Sequence, residues 1–259
     1  MRASVLAGGT VLYLATAAGV FLWQKGRSVR DDEIEDIELL DSAAKTRLYR
    51  KISETYDTSI DFDEKLMFLP YLRGQLLKRA RGKVLEVAGG TGRNLSYYDS
   101  SCELTITDSS EDMLRIAREK VLRDESLRGQ VSFRVQDAEK LDFSSNEFDT
   151  VVDTFGLCSV DNPDKLLSEM QRVCKPDGLL LLLEHGESHY RWLSKLQARG
   201  AKKHYDKWGC VYNKNILELV RQSQADIVAT SQWHLGTTII VVAKPNKVGG
   251  TNGGLQEAL

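Results

Sequence analysis

Three carboxylates close three successive apolar runs: Glu86 within KVLEVA (83–88), Asp108 at the end of ELTITD (103–108) and Asp137 at the end of VSFRVQD (131–137). Directly after the first run the chain reads Ala88-Gly89-Gly90-Thr91-Gly92. Glycines there permit positive φ and let a ligand approach bare backbone. Exposed N–H groups at the start of a following helix can receive a polar or anionic group. In open α/β sheets, ligands bind outside the carboxyl ends of the strands. Three acids and a glycine loop at successive strand ends therefore describe one polar binding edge. Any one of the acids alone could be a solvated strand end.

Two ligands suit such a loop, a dinucleotide and S-adenosylmethionine. A dinucleotide wants the GxGxxG spacing, which this loop does not have, and Glu86 would repel a diphosphate. A carboxylate suits the cationic amino group of a methionine moiety instead. Asp108, sixteen residues after Gly92, can accept from both hydroxyls of a ribose. Asp137 and the backbone of Ala138 can read the amino edge of an adenine. The spacing favours the sulfonium cofactor.

These residues need a particular scaffold. From Lys83 onward short apolar runs alternate with helical stretches. The remaining strand candidates are FDTVVDTF (148–155), LLLLLEH (179–185), DIVATSQWHL (226–235) and TTIIVVAKP (237–245). The helical stretches are Arg93–Tyr98, Glu111–Arg123 and Lys165–Cys174, the last punctuated by Pro176 and Gly178. Such alternation predicts an α/β, doubly wound, Rossmann-like seven-stranded sheet with right-handed crossovers. A tight turn at Gly236 joins the last two strands as an antiparallel pair. Upstream, Ser42 to about Arg81 shows helical spacing and predicts two helices meeting near Asp57–Asp61, with Pro70 kinking the second or starting it later.

The chain has 259 residues, enough for one full domain with appendages. Its 35 basic and 37 acidic residues give a net charge of −2, which supplies no global field toward nucleic acid. Cys102, Cys158, Cys174 and Cys210 are widely spaced, with no CxxC pair. That argues against a zinc site or a disulfide framework and for four reduced thiols, and no metal is expected.

Ala3–Trp23 is 21 residues without a charge, followed by Lys25, Arg27 and Arg30. As a helix it would be roughly 31 Å long, enough to cross a hydrocarbon core. We read it as an N-terminal transmembrane helix, with the basic flank placing the main domain on the positive-inside face. A cleaved signal peptide would want a stronger basic start and a shorter apolar core. A buried soluble helix is the other alternative, although the run shows no polar face. The expected organisation is an anchor with its basic flank over 1–30, an acidic linker over 31–45, the main domain over 46–245 and a flexible tail over 246–259.

VLEVAGGTGRN, ITD, QDAEKLDF and FDTVVDTFGLCSVDNPDKLLSEMQRVCKPDGLLLLLEHG resemble the class I S-adenosylmethionine-dependent methyltransferases, in the branch containing the quinone-biosynthesis C-methyltransferases. Two membrane-anchored subgroups look similar. TRLYRKISETYD and GTGRNLSYY resemble mitochondrial Oms-like proteins; LCSV, EHG and DKWGC resemble thiol S-methyltransferase-like proteins. The resemblance covers residues 46–245. It implies that Glu86, Ala88, Gly89, Gly90 and Gly92 border the methionine moiety, and that Asp108 holds the ribose with Ser109 and Met113 flanking it. Asp137 and Ala138 would flank adenine. Thr154, Phe155 and Leu157 would line the methyl-transfer face, with Tyr56 folding over the cofactor. The family usually has glycine where this chain has Ala88, whose methyl could crowd the cofactor if φ there is positive.

Methyl transfer is an in-line displacement that depends on positioning and desolvation. A phenol or thiol acceptor must also lose a proton. His185 is the candidate base, since imidazole titrates near neutrality, against the alternative of a structural histidine. His189 and His204 follow in the next segment. Cys158 reads as core packing. Ser188–Cys210 should cover the acceptor, with Tyr190, Trp192, Tyr205 and Trp208 interleaved with Lys195, Arg199, Lys202, Lys203 and Lys207. That mixture suits stacked bases, a membrane surface or an amphipathic acceptor.

The expected protein is a membrane-anchored methyltransferase acting on a small phenol, quinone-like or thiol acceptor. Nucleic acid is not the expected partner, and protein partners are open. The rivals are a methyltransferase-fold assembly factor and an RNA methyltransferase. The Oms-like resemblance implies the mitochondrial inner membrane, with the endoplasmic reticulum as alternative.

Overall fold

The computed structural model describes residues 19–30, 34–127 and 129–247. Its centre is one seven-stranded sheet: β1 (Lys83–Val87), β2 (Glu103–Asp108), β3 (Val131–Val135), β4 (Phe148–Thr154), β5 (Cys174–His185), β6 (Asp226–Trp233) and β7 (Thr238–Lys244). The order is β3-β2-β1-β4-β5-β7-β6. β1 to β5 run parallel, while β7 pairs antiparallel with both β5 and β6. The expected α/β sheet with its antiparallel closing pair is therefore present.

Both faces of the central strands are covered, which is why β4 and β5 read as nearly unbroken apolar runs rather than alternating ones. On one face Leu85, Val151, Leu180, Leu182 and Val241 meet α4 (Pro163–Val173) and α6 (Ile216–Gln222). On the other, Val84, Val152, Leu181 and Leu183 meet Leu72, Leu76 and Leu77 of α2 (Leu69–Leu77). α3 (Glu111–Arg123) packs Leu114 and Val121 on Ile106. Asparagine and serine side chains set helix starts: Ser110 accepts from Met113 N, and Asn162 accepts from Lys165 N.

Four expectations are corrected. α1 (Ser42–Leu66) runs unbroken through Asp57–Asp61. Those acids do not mark a break, because they receive partners from the loop after β1: Asp57 accepts from Thr91, and Asp61 pairs with Arg93. The real break is Phe68, at φ 51, and Pro70 lies in the first turn of α2, where its missing N–H costs nothing. Residues 93–98 form no α-helix, only a 3-10 turn at Leu95–Tyr97, because Arg93 and Asn94 are drawn into cross-links with α1 and β1. β5 continues through Pro176 and Gly178; its register against β4 jumps from Cys174–Phe148 to Leu179–Thr150. The turn before β7 is a 3-10 turn with positive φ at His234, Leu235 and Gly236.

The covering segment is a helix, α5 (Arg191–Trp208), ended by Gly209 at φ 69. Residues 34–41 cross it, and Leu40 N donates to Tyr205 Oη at 2.8 Å. Asp41, placed in the linker, is the N-cap of α1. Residues 3–18 of the expected anchor lie outside the described residues; 19–28 are helical. Among the described residues, no helix is long and apolar enough to cross a membrane. Residues 248–259 of the expected tail also lie outside them. Asn246 and Lys247 are held by Gln171 at the end of α4.

Candidate active site

A cavity of about 730 Å³ opens above the carboxyl ends of β1, β2, β4 and β5. That is within the usual range for a site taking a cofactor-sized ligand. One side is the strand-end machinery. Gly90 has φ +55, and a Cβ there would meet nothing within 4 Å, so the loop presents bare backbone to open space. Asp108 accepts from Gly90 N and Ser110 N, both at 2.8 Å. Burial raises its pKa despite those two donors. The acid thus ties the glycine loop to the start of α3 and keeps lone pairs for a ligand.

Glu86 is 2% exposed. Its carboxylate accepts from Asn94 Nδ2 at 3.0 Å and Tyr98 Oη at 2.7 Å. Burial pushes its pKa up to about 7, while Tyr98, Arg73 and Asn94 pull the other way. Ala88 stands at φ 48, the left-handed region that disfavours a side chain. Gly89 donates to Thr107 O at 2.8 Å; a Cβ there would come within 2.4 Å of Ile106 Cγ2. These two residues explain the loop: one glycine is required by contact, and the neighbouring alanine bears backbone strain.

Ser109, Met113, Asp137, Ala138, Thr154 and Phe155 also line the cavity, with Glu86, Ala88, Gly89, Gly90 and Asp108. Asp137 is exposed and caps Glu139 N at 2.9 Å. Two expected residues do not line it. Leu157 is fully buried in the core, because its N–H is turned inward to Asp153 at 3.0 Å. Gly92, at φ +72, lies where a Cβ would strike Leu95 and Ala117, so it serves the packing of the loop on α3.

The opposite side is built by remote elements. Tyr49, Tyr56 and Arg73 come from α1 and α2, His204 and Trp208 from α5, and Tyr212 follows α5. Tyr56 packs edge-on against Trp208, with ring centroids 5.7 Å apart. His185 stacks on Phe155 at 4.4 Å and neighbours His204 at 6.3 Å. Burial pushes His185 down to about 3 and His204 down to about 4, so both imidazoles are neutral at physiological pH. His189 does not reach this cavity; it packs near Gly236.

Arg73 is the buried cation of the site, 4% exposed. It donates to Glu64 at 2.7 Å, Asn94 at 2.8 Å and Thr154 at 3.1 Å, and lies over the Phe155 ring at 5.1 Å. Among the described residues its Nε has no hydrogen-bond partner. Sequence reasoning missed Arg73 and Asn94, because a lone arginine in an amphipathic helix reads as a surface charge. The bases of α5 also point elsewhere than expected. Lys202 pairs with Asp206, Lys207 lies over Trp208, and neither lysine lines the cavity.

A doubly wound sheet with a polar cleft at its carboxyl edge defines a cofactor-binding α/β domain. Residues 85–182 match the Methyltransferase domain family. The chain is 35% identical over 223 residues to "Methyltransferase OMS1, mitochondrial" of Saccharomyces cerevisiae, covering 80% of this chain and 47% of that one. It is 40% identical over 121 residues to the ubiquinone/menaquinone biosynthesis C-methyltransferase UbiE of Pseudomonas paraeruginosa, covering 45% and 47%. The chain thus spans about half the length of these curated relatives. The cyclase SpnF shares the fold at TM-score 0.63 and 17% identity, over 81% of this chain and 98% of that one. The putative methyltransferase complexed with the Haloferax volcanii Trm112 activator does so at 0.60 and 14%, over 76% and 97%. Residues 85–182 are thus a methyltransferase domain; the chain is similar to the class I S-adenosylmethionine-dependent methyltransferases of the quinone-biosynthesis-like branch, and S-adenosylmethionine is the cofactor that this similarity supports. The site fits that group: open space over Gly90, a buried Asp108 with spare lone pairs, and a buried carboxylate, Glu86, able to face a cation.

Proposed function

We propose that this protein is a membrane-tethered methyltransferase whose acceptor is a small amphipathic molecule carrying an acidic phenol or a thiol. The observation that carries this reading is the division of one cavity into a carboxylate-and-glycine half and a half lined by Tyr49, Tyr56, Trp208, His185 and His204. When bound, S-adenosylmethionine supplies an electrophilic methyl group on a cationic sulfur. Glu86 orients the amino group of its methionine end, Asp108 holds the ribose, and Asp137 with Ala138 frames the adenine. Thr154 and Phe155 set the face on which the acceptor lies.

Neutral His185 and His204 are weak proton acceptors, so the acceptor should be one that ionises readily near neutrality. Arg73, held beside Thr154 and Phe155, favours an anionic acceptor at that face. An acidic hydroxyquinone or a thiol meets this requirement; an ordinary alcohol does not. His185 then serves as a hydrogen-bonding wall rather than as a strong base.

The tether rests on the uncharged run Ala3–Trp23 and on Val20, Phe21, Leu22 and Trp23, which are exposed on the described helical residues. The mitochondrial relative favours that organelle. The anchor, acidic linker, methyltransferase domain and tail keep the limits 1–30, 31–45, 46–245 and 246–259 in this proposal. The test is methyl transfer from isotopically labelled S-adenosylmethionine by the full chain in detergent, with hydroxyquinones, thiols, simple alcohols and RNA offered side by side. Labelled hydroxyquinone or thiol is expected. Cofactor binding with no transfer to either would favour a non-catalytic assembly role, and labelled RNA would overturn the small-molecule reading.

A further inference from the structure

Two of the four cysteines meet inside the cavity. Cys158, on the loop after β4, and Cys210, just beyond α5, both line it, and their Sγ atoms are 2.7 Å apart. They are 1% and 8% exposed. The Cys158 thiol donates to Phe155 O at 3.2 Å, which leaves its sulfur lone pairs facing the Cys210 thiol that donates to it. The backbones are tied at the same point, since Val211 N donates to Cys158 O at 2.8 Å. Lys214 donates to Leu157 O at 2.9 Å and Val160 O at 3.2 Å, straddling the Cys158 loop with its positive charge. Among the described residues the other two thiols have no such neighbour: Cys102 faces Ala80 O and Cys174 faces Leu179 O.

We infer that Cys158 and Cys210 form an oxidation site, a dithiol that peroxide converts to a disulfide tying the end of α5 to the wall of the acceptor cavity. Hydrogen peroxide is small enough to enter, and Cys210 is the less buried partner. The Cys210 thiol gives up its proton as its sulfur attacks one peroxide oxygen and the O–O bond breaks, giving a sulfenic acid and hydroxide, and the hydroxide takes up the released proton to become water. The Cys158 sulfur then attacks the sulfenic sulfur, the S–O bond breaks, and a second water leaves with the Cys158 proton. Two thiols and one peroxide thus give one disulfide and two waters. The hydrogen bond with Cys210, together with burial, pushes the Cys158 thiol well above its usual range, consistent with Cys158 as the resolving partner. The Gly209–Tyr212 corner carries Cys210 and Tyr212, both on the cavity lining, so the bond fixes the cover over the acceptor half.

The test uses the full chain in detergent, treated with dilute hydrogen peroxide, alkylated under denaturing conditions and mapped by mass spectrometry. A linked Cys158–Cys210 peptide pair lighter by two hydrogens is expected, reversed by dithiothreitol, with Cys102 and Cys174 still alkylated. Amide hydrogen exchange over residues 209–212 should slow in the oxidised form. Four alkylated thiols after peroxide, a bond to Cys102 or Cys174, or overoxidation of Cys210 without a bond would overturn the site. Unchanged exchange in cross-linked protein would overturn the tie. None of these readouts depends on methyl transfer, so they stand or fall apart from the acceptor reading. Cys210→Ser, which removes one sulfur at similar size, should leave Cys158 alkylatable after peroxide.

Discussion

The two halves of the cavity are built in different ways. The cofactor half draws on strand ends that follow one another in the chain, where backbone geometry fixes the residue type: Gly90 at φ +55, Gly89 against Ile106, Asp108 bridging Gly90 and Ser110. The acceptor half draws on side chains from α1, α2, α5 and the segment after α5, brought together only by the packed fold. The first is a local motif and the second a long-range assembly. Breaking each should therefore look different: loss of cofactor affinity in one, loss of fold or of acceptor handling in the other.

Arg73 joins the two halves, and its removal should have the largest effect. It pairs with Glu64 and bonds Asn94, which in turn holds Glu86. Arg73→Met keeps the length and deletes the charge, leaving Glu64 with Arg93 alone and Glu86 without its buried cation. Removing one partner of a buried pair costs about 3–5 kcal/mol. Thermal or urea unfolding should show a loss of that order. A loss below about 1 kcal/mol would mean that Arg73 is not structural, and that the halves are not coupled through it.

Asp108→Asn keeps the size of the side chain but can accept from only one of Gly90 N and Ser110 N, so it should loosen the glycine loop and strike the cofactor. A hydrogen bond to a charged group is worth about 1.5–3 kcal/mol, so affinity for S-adenosylmethionine should fall roughly 10- to 100-fold by calorimetric titration. The acceptor half should be untouched in its unfolding behaviour. Equal affinity in the variant would show that ribose is held elsewhere.

Glu86 separates the halves by pH. Its pKa is about 7 in the folded chain, against 4.5 for a free glutamate. The folded chain therefore binds the extra proton between those values, and the stabilising effect of the protonated form is complete below about 4.5 and lost as pH rises through 7. Glu86→Gln, which stays neutral, should gain relative stability across that window, with a plateau above pH 7 on the order of 3 kcal/mol. A bound cation favours ionised Glu86, so cofactor affinity should rise from pH 5 to 7 with proton release, and this rise should flatten in Glu86→Gln. Titration in buffers of different ionisation enthalpy would show the released proton. A pH-independent affinity would remove Glu86 from the methionine end.

The contrast also explains what the sequence reveals. The sheet, the glycine loop and the strand-end acids are legible because strand periodicity and positive φ constrain residue type locally. Arg73 and Tyr49 are not, since their roles depend on where α1 and α2 dock, and amphipathic spacing says only which face is buried. Asp57–Asp61 misleads for the same reason: acids that partner Thr91 and Arg93 look like a hinge when those partners lie far along the chain. Leu157 misleads in the other direction. It lies next to cavity residues in sequence, but the turn that places Phe155 at φ 62 sends Leu157 into the core.

The smallest effect belongs to Ala88, the one position where the cofactor loop departs from local preference. At φ 48 its side chain costs roughly 1–2 kcal/mol relative to an ordinary conformation. Ala88→Gly relieves that strain but frees the unfolded chain, which returns about 0.4–1 kcal/mol of the gain. The methyl also has a neighbour to lose, because it lies at 2.9 Å from where a Cβ on Gly156 would stand, filling the space between the loops after β1 and β4. Stability should change by less than about 1 kcal/mol, with cofactor affinity unchanged or slightly improved. Urea unfolding and calorimetric titration of the variant decide it. A marked gain in affinity would show that the methyl crowds the cofactor, whereas a marked loss of stability would show that it braces the two loops that divide the cavity.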